Sequence, residues 1–556
     1  MSKSPWRLLA LALITALAAA LRLVDLGAVR VDPFYDAAVR SMGVSWHNFF
    51  FGAYEPGGSV SIDKPPIDLW LEVASVKLFG WGSVSLKLPE ALAGTVAVPL
   101  LYAAVRRPFG ALAGLVAALA LAVLPIEVVT ARSDTMDAVM MLLLVLALLL
   151  LVRACESERR STAWLLGAAA ALGVAFDVKL LESLIALPGL TLIALLGLPR
   201  AGAQRTGEEG RSNEDAGLGS QTNGHGSTWG RVAFQLLAAA VVYAVVALSW
   251  LGATLLYPAR ERPWAIGSSN GSAWNAAFVF NGSERISGKA VEVAQAHGSS
   301  AIAPPSPTRL LASSGGLPGN WLGWVALTAL LLGTFAVVVL ARRGRAARVR
   351  RAVTVGVFVW LLTGLVLFSQ MARLHPRYVE SFVPAVAATF GIGVGLIAAA
   401  RSPVRWLALA LTALLAWPLA VSVEAVQSSA SDAGNVGALA PSEQHALSSY
   451  LLAHRNGARY ELAAGSATAV ASLIVADRLP VLMLTTYDGR PLTSADQLRR
   501  AAHRQEVRYA FLSSLCGVYP RPTNAGCAPA ALWVQAHGSD VSQRAGLRPR
   551  TLWRLP

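Results

Sequence analysis

The feature that most constrains this chain is the recurrence of apolar runs long enough to cross a bilayer. A spanning helix needs about 20 mainly apolar residues. Runs of roughly that kind occur at 7–27, 86–105, 108–126, 136–153, 162–177, 180–198, 232–254, 321–341, 352–370, 379–400 and 404–424. The 556 residues are 55% hydrophobic and only 14% charged, whereas soluble domains carry about 25% charged residues. So little polar surface cannot enclose so much apolar material in water. The sequence predicts an α-helical polytopic membrane protein with about eleven spans. The pair 162–177 and 180–198 flanks Asp177 and Lys179, so it reads as two short spans or one bent hairpin.

Lys and Arg set the orientation. Lys3 and Arg7 precede the first run, and Arg106, Arg107, Arg153, Arg159, Arg160, Arg200, Arg205, the Arg342–Arg351 cluster, Arg401 and Arg405 follow even-numbered runs. All fall on one side if the count holds, and the positive-inside rule makes that side cytoplasmic. The net charge of +15 therefore reads as membrane topology, and no nucleic-acid partner is expected. The first run is read as an uncleaved span rather than a signal peptide. The expected location is the plasma membrane, multi-pass, with a cytoplasmic N-terminus and an extracytoplasmic C-terminal region.

The expected organisation is a transmembrane catalytic domain over 1–424 and a small extracytoplasmic α/β domain over 425–556. Within the first, 28–85 forms an outside loop with interfacial helices at Trp46–Phe51 and Leu69–Phe79. Residues 199–231 form a flexible cytoplasmic loop, and 255–320 a second outside loop. In the C-terminal region, apolar runs at 469–476, 480–484 and 509–512 alternate with a helical stretch at 495–504. An odd span count puts that region in a disulfide-permissive compartment, so Cys516 and Cys527 are expected to pair, while Cys155 is a free thiol. Asn270-Gly-Ser272 and Asn281-Gly-Ser283 read as turns.

Charge near a membrane is costly, about 2.5–3.5 kcal/mol at a helix centre, so charged residues at the outer ends of the spans stand out. Asp32-Pro-Phe-Tyr-Asp36 follows the first span. Asp32 has the position of an N-cap, and capping alone accounts for much of this group. Asp63-Lys64-Pro65-Pro66 pins a cation against a stiff backbone. Arg132-Ser-Asp134-Thr-Met-Asp137 heads the fourth span, where a helix start favours anions. Asp177-Val-Lys179 with Glu182 reads equally as an internal salt bridge. His375-Pro-Arg377-Tyr378 opens the tenth span, and Arg377 has the fork geometry that suits phosphate. Carboxylates and cations on one face suit transfer from a phosphate-linked lipid: a carboxylate takes the acceptor's proton, and cations stabilise the leaving phosphate.

These residues resemble GT-C membrane glycosyltransferases of the family 39 type, which include protein O-mannosyltransferases and bacterial aminoarabinose-to-lipid-A transferases. The resemblance rests on Asp32–Met42, Ser45-Trp-His-Asn-Phe-Phe50, Pro56-Gly-Gly58 and Asp63-Lys-Pro-Pro66. It is strong over 28–185, moderate over 262–282 and 375–384, and weak in the C-terminal region. It implies a GT-C fold and a polyprenyl-phosphate-linked sugar as donor. It implies hexosyl or pentosyl transfer at the outer face to an envelope glycan, glycolipid or protein. By resemblance the catalytic base maps to Asp32, with Asp36 and Asp137 as alternatives. Lys64, Arg132, Lys179, Arg377 and Tyr378 are the candidates for the donor phosphate. Some relatives bind a divalent metal, for which Asp63 and His375 are the candidate ligands. The competing reading is a transporter or lipid flippase using the same charges. It is disfavoured because the halves show no repeat and the charges sit at one face rather than at mid-membrane.

Overall fold

The computed structural model describes residues 5–199, 226–287, 305–311, 322–342, 347–372, 374–400, 403–434, 436–466, 469–486, 491–512 and 528–556. Cys516 and Cys527, and most of the 199–231 loop, lie outside these residues.

Among the described residues, nine helices are long and apolar enough to cross a membrane. Two features reconcile that number with the eleven apolar runs. The first concerns Ser161–Gly197, which counts as one helix of 37 residues. It consists of α9 (Ser161–Lys179), a 3-10 stretch Leu180–Ala186 and α10 (Leu187–Gly197). The chain turns at Leu180, where φ is +49°. Lys179 meets Asp137, the first residue of α8 (Asp137–Glu156). At the other end of α10, Ile193 O accepts from Cys155 Sγ, in the last turn of α8, at 3.7 Å. The segment thus runs one way along α9 and back along α10. The second feature is α6 (Ala111–Val123), which is apolar but short. Pro125 follows it, and the chain continues after a break as α7 (Pro125–Thr130), as expected where proline interrupts the helical ladder.

α1 (Pro5–Leu23) and α5 (Ser83–Phe109) enclose the first long loop. That loop folds into α2 (Pro33–Met42), α3 (Trp46–Phe51) and α4 (Ile67–Phe79), so the expected stretches 46–51 and 69–79 are helical. A parallel pair of two-residue strands, β1 (Val60–Ser61) and β2 (Trp264–Ala265), ties it to the loop that begins near residue 255. α11 (Gly226–Ala247) and the helices Gly323–Ala341, Arg348–Gln370, Val383–Ala398, and Arg405–Ala413 with Ala416–Gln427, complete the membrane part. Small residues bring its helices together. A Cβ on Gly189 of α10 would lie 2.3 Å from Gly356 O of helix Arg348–Gln370.

Arginines close the helix ends on the N-terminal side of the membrane. Arg348 donates to Leu198 O at 3.1 Å and Cys155 O at 3.3 Å. Arg350 donates to Pro108 O at 2.6 Å, and Arg351 to Leu340 O at 2.9 Å. Each carbonyl belongs to the end of a helix, where backbone acceptors lack intrahelical partners and positive charge is favoured.

After the last span comes a five-stranded sheet in the order β4 (Leu482–Met483), β3 (Ala463–Ala464), β5 (Tyr509–Phe511), β7 (Leu552–Arg554), β6 (Ser539–Asp540). β3 pairs in parallel with β4 and β5, whereas β7 is antiparallel to both its neighbours. Leu498, Val507, Leu512, Val534 and Trp553 form a core on this sheet. The run 469–476 is not a strand: Ala471–Asp477 is helical and packs against α2. Arg40 of α2 donates to Val475 O at 3.2 Å. Of the two sequons, Asn270 sits in a turn beside Gly271 at φ +78°, but Asn281 lies within the helical segment Ala276–Ser283.

Candidate active site

α2 begins because Asp32 caps it. The Asp32 carboxylate accepts from Phe34 N–H at 3.0 Å, and Pro33 supplies a first-turn residue that needs no acceptor. The remaining Asp32 oxygen accepts from Gly434 N–H at 2.7 Å. Asp32 N–H donates to Asp134 at 2.9 Å, tying the cap to the turn before α8. Asp32 is buried, as are Asp36 and Asp134.

From Asp32 the contacts run in a ring. Tyr35, one turn into α2, has its hydroxyl 3.5 Å from Lys64 Nζ. Lys64 pairs with Asp63 at 3.0 Å, and Asp63 faces Arg285 at 3.6 Å. Arg285 donates to the Tyr378 hydroxyl at 2.5 Å and to Asn281 Oδ1 at 3.0 Å. Lys179 Nζ lies 5.5 Å from the centre of the Tyr378 ring, and it pairs with Asp137 and with Glu182 at 2.9 Å. Next to Tyr378, Arg377 pairs with Asp432 at 3.2 Å. Two residues beyond Asp432, Gly434 returns to Asp32. The ring gathers the starts of α2 and α8, the end of α9, the 63–64 turn, the loop holding Arg285 and the segment after the last span. Two surface grooves are lined by other residues: one of about 250 Å³ beside Leu112 and Trp406, and one of about 410 Å³ beside Gly27 and Trp81.

The electrostatics divide the carboxylates. Burial holds Asp36 well above the usual carboxylate range, and Asp134 and Asp32 add to it. Burial, then Asp32, pushes Asp134 up to about 6, although the Asp32 N–H it accepts opposes this. Burial also raises Asp63, but Lys64 and Arg285 outweigh it and hold Asp63 below its usual value. Asp432 is raised by burial more than Arg377 lowers it.

The structure brings Asp32, Asp36, Asp63, Lys64, Asp137, Lys179, Arg377 and Tyr378 together. Arg132 is elsewhere. Its guanidinium donates to Leu21 O at 3.1 Å and Val24 O at 2.6 Å, closing the end of α1. The sequence placed Arg132 near the site but not the direction of its side chain. The two candidate metal ligands are engaged with other groups. Asp63 is held between two cations, and His375 packs edge-on to Tyr378. Among the described residues no group of three or more His, Cys, Asp or Glu could hold a metal ion. Three ring members were not singled out from sequence: Tyr35, Arg285 and Asp432. Arg285 follows a sequon in a Gly- and Ser-rich loop, and Asp432 follows the last span in a Ser-rich stretch, so neither stood out against an apolar run. Glu90 was also missed. It accepts from Ala138 N–H at 2.6 Å and so closes the start of α8; its charge within an apolar run was an available signal.

The fold alone matches the GT-C fold expected from the sequence. Matching structures include ArnT from Cupriavidus metallidurans bound to undecaprenyl phosphate. That match has a TM-score of 0.56 and 18% identity, covering 100% of this chain and 98% of that one. The oligosaccharyltransferase AglB from Archaeoglobus fulgidus, in complex with an inhibitory peptide and a dolichol-phosphate, matches at a TM-score of 0.53 and 12% identity, over 96% of this chain and 72% of that one.

More particularly, residues 63–205 match the family described as dolichyl-phosphate-mannose-protein mannosyltransferase. Residues 447–537 match a family described as YkcB-like mannosyltransferase, C-terminal. Two Bacillus subtilis (strain 168) proteins are similar. "Putative mannosyltransferase YycA" is 32% identical over 264 residues, 48% of this chain and 34% of that protein. "Putative mannosyltransferase YkcB" is 32% identical over 259 residues, 47% of this chain and 32% of that protein. The matched region thus spans about a third of each curated relative. All these likenesses are to transferases, in keeping with the enzyme reading rather than the transporter one.

Proposed function

We propose that this chain is a membrane glycosyltransferase. It moves a hexosyl or pentosyl group from a polyprenyl-phosphate-linked donor to an acceptor at the outer face of the plasma membrane, with its N-terminus cytoplasmic and residues 425–556 outside. One observation carries the reading: Asp32 shares a ring with Lys64, Lys179, Arg285 and Arg377. In the reaction the bond from the sugar's anomeric carbon to the phosphate oxygen breaks, and a bond to the acceptor hydroxyl oxygen forms. The acceptor's proton passes to a carboxylate. The lipid phosphate leaves with the bonding pair and is stabilised by the fixed cations.

Among the three acidic candidates, the environment favours Asp32 as the base. Burial holds the Asp36 carboxyl well above its usual range, and Asp137 is bound to Lys179. Among the described residues Asp32 accepts from two backbone N–H groups, those of Phe34 and Gly434. The acceptor is an envelope glycan, glycolipid or protein.

The test supplies the purified protein with a polyprenyl-phosphate sugar and follows release of lipid phosphate. Loss of a general base costs about 10²–10⁴-fold in rate, so Asp32→Asn should fall by that much while still folding. Release at the wild-type rate by both Asp32→Asn and Asp137→Asn would overturn this mechanism.

A further inference from the structure

Each cation of the ring already has a carboxylate against it. Asp63 serves Lys64 and Arg285, and Asp137 and Glu182 serve Lys179. Arg377 is served by Asp432, whose carboxylate lies at 3.2 Å and whose backbone carbonyl accepts at 3.4 Å. An incoming phosphate therefore competes with a carboxylate for each guanidinium or ammonium group. These carboxylates are not equally fixed. Asp137 heads a long helix, Glu182 sits in the turn between α9 and α10, and Asp63 is pinned before two prolines. Asp432 lies in an irregular segment, 430–434, between the last span and the sheet domain.

That segment is held by single polar contacts. Asp432 N–H donates to Ser133 Oγ at 3.1 Å, and Ser431 Oγ to Arg30 O at 3.0 Å. Arg30 reaches back to Ala433 O, and Gly434 N–H donates to Asp32 at 2.7 Å. One short stretch thus touches both the cation and the carboxylate that the reaction uses. It also leads into the sheet domain, where Gly437 O accepts from Ser472 N–H at 3.2 Å.

We propose that residues 431–434 form a strap in which Asp432 holds the place of the donor phosphate on Arg377 while Gly434 holds Asp32. Arrival of the lipid phosphate exchanges one anion for another on Arg377 and lifts the strap. Asp32 is thereby released for the acceptor, and the sheet domain is mechanically joined to the occupancy of the donor site. The proposal rests on the transferase reading, because it takes Arg377 as a phosphate ligand.

The test measures binding of undecaprenyl phosphate to the full chain in lipid nanodiscs. Removing the competing carboxylate from this largely buried pair should tighten binding at least about fivefold in Asp432→Asn. Asp432→Glu, which restores the anion, should return toward wild-type affinity. Equal or weaker binding by Asp432→Asn would overturn the strap. No binding by wild-type protein would overturn the transferase reading along with it, so the two failures are told apart. A second measurement needs no variant. Exchange of the Asp432 and Gly434 amides should speed up when wild-type protein is saturated with undecaprenyl phosphate. Unchanged or slower exchange there would also overturn the strap.

Discussion

Lys179 is 3% exposed and its partner Asp137 is fully buried. Replacing Lys179 by Met keeps most of the side-chain volume and removes only the charge and donors. Asp137 is then left buried without its partner, which typically costs about 3–5 kcal/mol. Arg377 is another positive neighbour of Asp137, so the lower half of that range applies. Glu182 is 17% exposed, and the loss of its pairing adds under about 1 kcal/mol. Asp137→Asn leaves Lys179 its Glu182 partner and should cost less. In the double variant neither buried charge remains, so much of the loss should be recovered, with a coupling of about 2–3 kcal/mol. The assay is unfolding of all four proteins in one detergent, compared as a double-mutant cycle. Transfer activity should stay low in the double variant even as stability returns, because a cation of the ring is gone. Losses that add to within about 0.5 kcal/mol would refute the idea that Lys179 neutralises Asp137.

Gly189→Ala puts a methyl against Gly356 O and Trp360 at the crossing of α10 with helix Arg348–Gln370. The expected loss is about 1–3 kcal/mol, and a thermal midpoint equal to wild type would count against α10 as a separately packed span. Asp134 is raised from 3.8 to about 6, so between those values the unfolded chain loses a proton that the folded chain keeps. Its contribution is therefore a loss of stability as pH rises from about 4 to about 6, of order 3 kcal/mol at about 1.4 kcal/mol per pH unit. Asp134→Asn should flatten unfolding midpoints across that window, and an unaltered slope would show that Asp134 ionises freely in the fold.

The sequence carried the membrane part well because length and hydropathy are additive along the chain. Even the weak runs 162–177 and 180–198 correspond to two passes, since Lys179 and Leu180 sit at the turn between them. The site was legible where charge interrupts an apolar run, as at Asp32, Lys64, Asp137, Lys179 and Arg377. It was not legible where direction or distant folding decides. Arg132 lies two residues from Asp134, yet it points at the end of α1. Arg285 and Asp432 join the ring only because two separate segments fold back over α2 and Tyr378. No spacing rule connects residue 63 with 285, or 377 with 432. The run 469–476 shows the usual ambiguity of a short apolar stretch between strand and helix.

The arginines at 348, 350 and 351 mark one side of the membrane, but their forks also grip the carbonyls that end α5, α8, α10 and helix Gly323–Ala341. Sidedness and registration are thus written in the same letters. Losing one of these arginines would therefore remove more than a charge from the count. A staple that holds several helix ends level with one another would go with it.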